Sequence, residues 1–127
     1  MSVQARLDIS GIQAAQNANA RLIASVMPNG SLDRAVKAMT IEAERRAVIY
    51  THVDTGALRA SHRVELAGPR GRVYIDPSSV NPRTKQKPSV YGVYERDRGG
   101  EHDFYGRVVN EASDLFALGE RVYAEGL

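Results

Sequence analysis

The stretch Val53-Asp54-Thr55-Gly56-Ala57-Leu58-Arg59-Ala60-Ser61 stands near the middle of this 127-residue chain and separates two kinds of sequence pattern. Before it, apolar residues recur at helical spacing, and after it they alternate with polar residues as in a half-buried strand. Asp54 is placed to accept hydrogen bonds from the amides of Gly56 and Ala57, and so to cap a short helical turn. The stretch therefore predicts a change from helix to β-structure.

Two helices are predicted before this stretch. The first begins at Gly11, ends at the turn residues 27–30 and has a single apolar face. That face consists of Ile12, Ala15, Leu22, Ile23 and Val26. The second helix has Ser31 as its N-cap and carries a clear apolar stripe. The stripe consists of Leu32, Val36, Met39, Ala43, Ala47 and Tyr50. Weak alternation over residues 5–10 predicts a short edge strand ahead of both helices.

A hairpin and a polar loop are predicted after the central stretch. Residues 62–67 and 72–76 alternate, and Gly68-Pro69-Arg70-Gly71 supplies the turn between them. Residues 77–90 hold three of the chain's five prolines and few apolar residues, which predicts a long, mobile loop.

A helical pattern with a wide apolar stripe begins at Asp103, which indicates a C-terminal helix covered on more than one side. The predicted fold class is therefore α+β, in a single domain over residues 1–127. A small antiparallel sheet, made of the hairpin at about 62–76 plus edge strands, packs with two N-terminal helices and a C-terminal helix. The long polar loop at about 77–90 connects the hairpin to the remainder.

Composition narrows the class of protein. The chain has no cysteine, so it has no disulfide framework and no thiolate metal site, and a reducing cytoplasm is the expected compartment during its lifetime. No apolar run approaches the roughly 20 residues that span a bilayer, and the first six residues lack an apolar signal core. We therefore expect neither secretion nor contact with a membrane.

Charge is small in total but uneven along the chain. The net charge is +2, whereas proteins that grip many phosphates carry a concentrated basic face. Between residues 70 and 98, seven basic residues stand against three acidic ones, a local balance of +4. Arg83, Lys85 and Lys87 belong to this region. They form either a solvated polar loop or a contact with an acidic partner or DNA.

A second informative stretch, Tyr91-Gly92-Val93-Tyr94-Glu95-Arg96-Asp97, follows the predicted loop. Together, the two stretches and the order of elements resemble the head-to-tail connector, or tail-completion (neck), family of long-tailed bacteriophages. The first family motif, Asp-Thr-Gly-x-Leu-Arg-x-Ser, is matched by Asp54, Thr55, Gly56, Leu58, Arg59 and Ser61. The second, a Tyr-Ala-x-Tyr-x-Glu-x-Gly-like segment, is matched by Tyr91, Tyr94 and Glu95, then Gly99 and Gly100.

The resemblance covers nearly the whole chain and departs from the family pattern in three places. No proline precedes the first motif, Gly92 replaces the commoner alanine, and the ending after Glu95 is longer. The resemblance implies a virion protein, assembled in the host cytoplasm, that forms a ring of about six copies. Its neighbours would be a portal or head-completion (adaptor) ring and the tail-terminator or tail-tube proteins, and DNA would pass through the lumen without sequence-specific binding.

A ring needs two unlike contact patches on each subunit, and the C-terminal helix stripe and the polar loop are the candidates. Arg83, Lys85 and Lys87 are expected to face neighbouring subunits rather than DNA, since a strongly basic lumen would hold the duplex. Arg59 and Glu95 are expected to serve assembly more than folding.

The sequence is compatible with two other classes of function. An enzyme would have to use His52, Asp54 and the Glu101-His102-Asp103 run with Glu95, but no metalloprotease spacing, nucleophile elbow or phosphate loop is present. No catalysis, metal or cofactor is therefore expected. The alternative function is a small nucleic-acid-binding module that uses the Arg/Lys-rich region 70–98. Its stacking rings would be Tyr74, Tyr91 and Tyr94, flanked by Arg72 and Arg96.

Overall fold

The computed structural model of the chain describes residues 9–51 and 56–127. Within these ranges the chain has the predicted α+β fold, with six α-helices, one short 3-10 helix and a two-stranded antiparallel sheet. The helices are α1 (Ile9–Val26), α2 (Ser31–Tyr50), α3 (Ala57–Ala60), α4 (Pro88–Asp97), α5 (Phe104–Val109) and α6 (Ala112–Glu125). The strands are β1 (His62–Ala67) and β2 (Arg70–Ile75), and the 3-10 helix spans Gly100–His102.

Helix α2 is the centre of the fold. It packs most extensively against α6 and also contacts both strands, α5 and α1. Small residues permit this close packing: a Cβ added at Gly71 of β2 would collide with Thr40, and one at Gly119 of α6 would collide with Met39. Glycine at these two positions lets the hairpin and α6 lie directly on α2.

The β-hairpin is confirmed. Its register runs from His62 opposite Ile75 to Ala67 opposite Arg70, and the turn uses Gly68 at φ 58°. The predicted edge strand at 5–10 falls largely outside the described residues, and its last two residues, Ile9 and Ser10, begin α1 instead. Among the described residues the sheet has no third strand.

The polar loop is shorter than predicted, because Pro88 starts helix α4, where its fixed φ suits the first helical position. Asn81 organises what remains of the loop and is 4% exposed. Its backbone amide donates to the Gln86 carbonyl at 2.8 Å, and its side-chain Oδ1 accepts from the Arg83 backbone amide at 2.9 Å. The amide of Lys85 donates to the Asn81 carbonyl at 2.8 Å, so the loop is folded on itself.

The predicted C-terminal helix is two helices, α5 and α6, which a short break after Val109 separates. The Asp103 carboxylate caps α5 by accepting from the Gly106 amide at 3.0 Å. Phe104 and Val108 fill the core beside α2, at 1% and 7% exposed. The outer side of α6 has no cover from the described part of the subunit, and cover of that side by another copy of the chain stays a prediction.

Candidate assembly interface

The two motif stretches meet in space. Leu58 of α3 is 7% exposed and lies beneath α4, as expected for a core residue. A Cβ added at Gly92 would stand 2.8 Å from Ile75 Cδ1 and 2.9 Å from Leu58 Cδ1. Because glycine has no Cβ, α4 can rest directly on both side chains. The departure from alanine at position 92 is therefore matched by unusually close packing of the second motif on the first.

The described residues of the first motif fix the backbone conformation between α2 and the hairpin. Gly56 has φ 82°, in the left-handed region that favours glycine, and precedes α3. The Ser61 hydroxyl donates to the Leu58 carbonyl at 2.6 Å, and Arg59 donates to the Thr51 carbonyl at 3.0 Å. Asp54 and Thr55 lie outside the described residues, as does His52. The structure thus gives Arg59 and Ser61 contacts within the subunit.

A buried chain of hydrogen bonds lies next to this junction. The Thr51 hydroxyl donates its only proton to the Ala47 carbonyl at 2.6 Å. His62 Nε2 must therefore donate to Thr51 Oγ1, at 2.7 Å, and Nδ1 accepts from the Tyr105 hydroxyl at 2.9 Å. Burial, helped by the charge of Arg63, lowers the pKa of His62 to about 4, and burial raises the pKa of Tyr105 to about 12. This chain joins α2, β1 and α5 through a neutral histidine.

Helix α4 has two distinct faces. Its inner face consists of Pro88, Tyr91, Gly92 and Glu95, which are buried or half-buried. Its outer face contains Val90, Val93 and Tyr94, which are 55%, 42% and 69% exposed. These three positions follow the i, i+3, i+4 spacing of a single helix side. We call these three residues the α4 face, and nothing within the described ranges covers it.

Tyr91 and Glu95 hold α4 to its own subunit. The Tyr91 hydroxyl accepts from Asn81 Nδ2 at 3.5 Å, which connects the helix to the loop. The Glu95 carboxylate accepts from His102 Nδ1 at 2.5 Å and from Arg98 at 3.2 Å. The hydrogen bond from His102, above all, lowers the pKa of Glu95. Of Tyr91, Tyr94 and Glu95, only Tyr94 is directed outward.

The loop cations border the α4 face in sequence. Arg83, Lys85 and Lys87 are exposed, and within the described ranges none of them forms an ion pair. The α4 face thus follows a run of three cations at the N-terminal end of its helix, and Asp97 stands one turn beyond Val93 at the other end.

A second uncovered surface lies on the outer side of α6. We call three exposed apolar residues the α6 face: Val109, which ends α5, with Phe116 and Ala117 of α6. Val109 is 69% exposed and Phe116 is 61% exposed. The charged residues of α6 are Asp114, Glu120, Arg121 and Glu125, three acidic and one basic. Asp114 pairs with Arg46 of α2 at 3.5 Å, and Arg121 pairs with Glu125 at 4.0 Å. The α6 face therefore lies on a helix with an acidic excess, of which Glu120 stands one turn after Phe116.

The structure also bears on the other candidate sites. Within residues 9–51 and 56–127, no group of three or more histidine, cysteine or acidic side chains could hold a metal ion. The three tyrosines of the nucleic-acid alternative differ in their surroundings, since the Arg72 guanidinium lies 4.5 Å from the centre of the Tyr74 ring and Tyr91 is directed to the loop. No helix in the described part of the chain is long and apolar enough to cross a membrane.

The sequence patterns did not indicate that Val90 and Val93 are exposed together or that Gly92 is a packing residue. The helical spacing of residues 90, 93 and 94 is the signal for the outer face, but the residues just before it have the composition of a loop.

Comparisons with protein-family models, with curated proteins and with solved structures return no match for this chain.

Proposed function

We propose that this chain is a structural virion protein that forms a ring in the neck of a long-tailed bacteriophage. The ring, of about six copies, joins the portal or head-completion (adaptor) ring of the DNA-filled head to the tail-terminator or tail-tube proteins. DNA passes through its lumen without sequence-specific binding. One observation carries the self-assembly part of the proposal: two apolar faces on different helices are uncovered by the described residues, one after a run of three cations in the sequence and one on a helix with an acidic excess.

The two faces are suited to a head-to-tail contact. Exposed clusters of large apolar side chains mark interaction sites, and aromatic residues such as Tyr94 and Phe116 are typical anchors of interfaces. The α4 face belongs to a helix that packs on α3, α5 and β2, whereas most of the α6 face belongs to one that packs on α2. The faces are unlike, so their contact is heterologous, and repeated heterologous contacts close into a ring when the rotation between copies permits.

The assignment to a phage neck is supported by the motif resemblance. Leu58 of the first motif and Gly92 within the second are packed together, so the two motifs form one structural unit. The small net charge of +2 is also suited to a conduit, because a strongly basic lumen would retain DNA by counterion release.

Two single substitutions test the head-to-tail contact. Tyr94→Asp disables the α4 face and leaves the α6 face intact, and Phe116→Asp does the reverse. Each variant alone is expected to be a folded monomer, because both side chains are exposed and lie outside the core. An equimolar mixture is expected to form a dimer that cannot grow, since one intact face remains on each partner. Light scattering after size exclusion measures all three samples.

The control is Ile49→Asp, which places the same charge at another exposed apolar position, 54% exposed on α2. We expect this variant to assemble like the original chain. If either face variant still forms rings, or if the mixture stays monomeric, then the α4 and α6 faces do not bind each other. Negative-stain images of heads and tails mixed with the purified ring, or with either variant, then test the joining activity itself.

The alternative function, a small nucleic-acid-binding module, is favoured by one feature, the exposed Tyr94 near Arg83, Lys85 and Lys87 in the sequence. Fluorescence polarisation with a labelled single strand tests it. Phosphate contacts would weaken binding steeply between about 50 and 200 mM salt, and Tyr94→Ala would remove a stacking contact. Rings that form equally at both salt concentrations, without retention of the strand, would favour the neck function.

A further inference from the structure

An acidic residue stands at the C-terminal end of each apolar face. On α4, Asp97 lies seven residues after Val90, so it is on the same side of the helix two turns later. On α6, Glu120 lies four residues after Phe116 and three after Ala117, which places it on the same side one turn later. Both acidic residues are exposed, and neither forms an ion pair with the described part of the chain. Each face therefore has a negative charge at the C-terminal end of its helix.

The N-terminal ends of the two faces differ from this. Lys87 is the exposed N-cap residue of α4, and the first turn of this helix contains no acidic residue. The cation and the helix dipole make this end of the α4 face electropositive. At the corresponding end of the α6 face stands Ser113, which is exposed and uncharged. Asp114 lies about 100° round the helix from it and is turned to Arg46 of α2, at 3.5 Å.

We propose that α4 of one copy packs antiparallel to α6 of the next copy in the ring. In this arrangement Glu120 lies at the N-terminal end of the neighbouring α4, beside Lys87, where the helix dipole also favours an anion. Asp97 then faces Ser113, whose hydroxyl can donate to it. The parallel arrangement would instead bring the carboxylates of Asp97 and Glu120 together at one end of the contact. Like charges that meet in an interface weaken it strongly.

The cations that follow the two acidic residues do not change this preference. Arg98 of α4 donates to the Glu95 carboxylate at 3.2 Å, and Arg121 of α6 pairs with Glu125 at 4.0 Å. Each of these arginines also lies about 100° round its helix from the preceding acidic residue, away from the centre of the apolar face. The two unpaired carboxylates therefore decide which direction of packing is favoured.

The inference rests on the proposed contact between the α4 face and the α6 face. It adds the relative direction of the two helices, and thereby the charges that meet. The contact joins unlike faces, so a rotation that closes a ring relates the two copies and no two-fold axis is needed.

A dimer with a single contact isolates this arrangement. In the mixture of Tyr94→Asp and Phe116→Asp chains, the intact α4 face belongs to the Phe116→Asp chain and the intact α6 face to the Tyr94→Asp chain. The sequence has no cysteine, so an added pair reports which residues meet. Under mild oxidation, Glu120→Cys in the Tyr94→Asp chain is expected to form a disulfide with Val90→Cys in the Phe116→Asp chain. The matched control Asp97→Cys, at the other end of the α4 face, is expected to form none.

Charge reversal in the same dimer tests the ion pair. Glu120→Lys in the Tyr94→Asp chain should raise the dissociation constant about tenfold at low salt, because two lysines then meet. Lys87→Glu in the Phe116→Asp chain should restore binding when both changes are present. Glu125→Lys, on the other side of α6, is the matched control and should leave the dissociation constant unchanged. Sedimentation velocity measures each mixture.

These results separate the inference from the ring proposal. A dimer that cross-links through Asp97→Cys rather than Val90→Cys would overturn the antiparallel arrangement and leave the head-to-tail contact standing. Equal cross-linking of both would show unspecific collisions and would also overturn it. A dimer that Glu120→Lys does not weaken, or that Lys87→Glu does not restore, would overturn the pairing of these two residues. Absence of the dimer, together with absence of rings from the original chain, would overturn both proposals.

Discussion

Acidification should destabilise the fold through His62, the neutral histidine at the centre of the buried hydrogen-bond chain. His62 is 3% exposed, and its pKa falls from the ordinary 6.5 to about 4 because burial penalises the charged ring. In the unfolded chain the ring takes up a proton as the pH falls below its ordinary pKa, whereas the folded chain resists this. The stabilisation is complete above pH 6.5 and is lost as the pH falls to about 4.

The size of this effect follows from the two pKa values. Each pKa unit corresponds to about 1.4 kcal/mol, so the lowering from 6.5 to about 4 is worth about 3 kcal/mol of unfolding free energy. Typical domains have a total stability of about 5–15 kcal/mol, so the loss would be a large fraction of it.

Urea unfolding followed by far-UV circular dichroism, at several pH values from about 7.5 to about 4, measures the loss. His62→Gln is the matched control, since glutamine keeps a donor and an acceptor but does not titrate. Other titrating groups contribute alike in both chains, so the wild type should lose about 3 kcal/mol more than the variant over this range. Equal losses in the two chains, or a ring pKa near 6.5 by NMR, would refute the reasoning.

Three further substitutions have defined outcomes. Gly92→Ala should lower the unfolding free energy by about 1–3 kcal/mol, because the added methyl group overpacks against Leu58. The control Val93→Ala, on the outer face, should change it by less than about 0.5 kcal/mol. Equal melting temperatures of the two variants would contradict the close packing at Gly92. Asn81→Ala should raise amide hydrogen exchange in the loop with little change in global stability, and unchanged exchange would show that Asn81 does not organise it. Leu58→Asp should leave the chain unfolded by circular dichroism, because it buries a charge, and a folded ring would contradict the core position of Leu58.

Local patterns predicted the hairpin and the short turn at Ala57 because both depend on neighbouring residues. Alternation indicated the strands but not their faces, since burial does not alternate along either strand and Leu66, expected inward, is 43% exposed. Gly68 supplied the turn. The start of α4 was missed because Pro88 reads as a loop residue, although proline is favoured at the first helical position. The break after Val109 was missed because the apolar pattern continues across it.

The contacts between distant segments could not be predicted from local patterns. The sequence shows Tyr91 and Glu95 as motif residues, but only the fold shows that Asn81 and His102 occupy their polar groups. Periodicity likewise identified the apolar side of α1 without indicating whether its own subunit would cover it. Cover depends on tertiary packing, and in the described part of the subunit the buried end of α1 is at Ser25.

The mass of the purified chain, measured by light scattering after size exclusion with negative-stain images of the same fractions, tests the central claim most directly. The account predicts closed rings whose mass is a whole multiple, about sixfold, of the 13.9 kDa subunit. A folded 13.9 kDa monomer at every protein concentration, with no rings in the images, would contradict it.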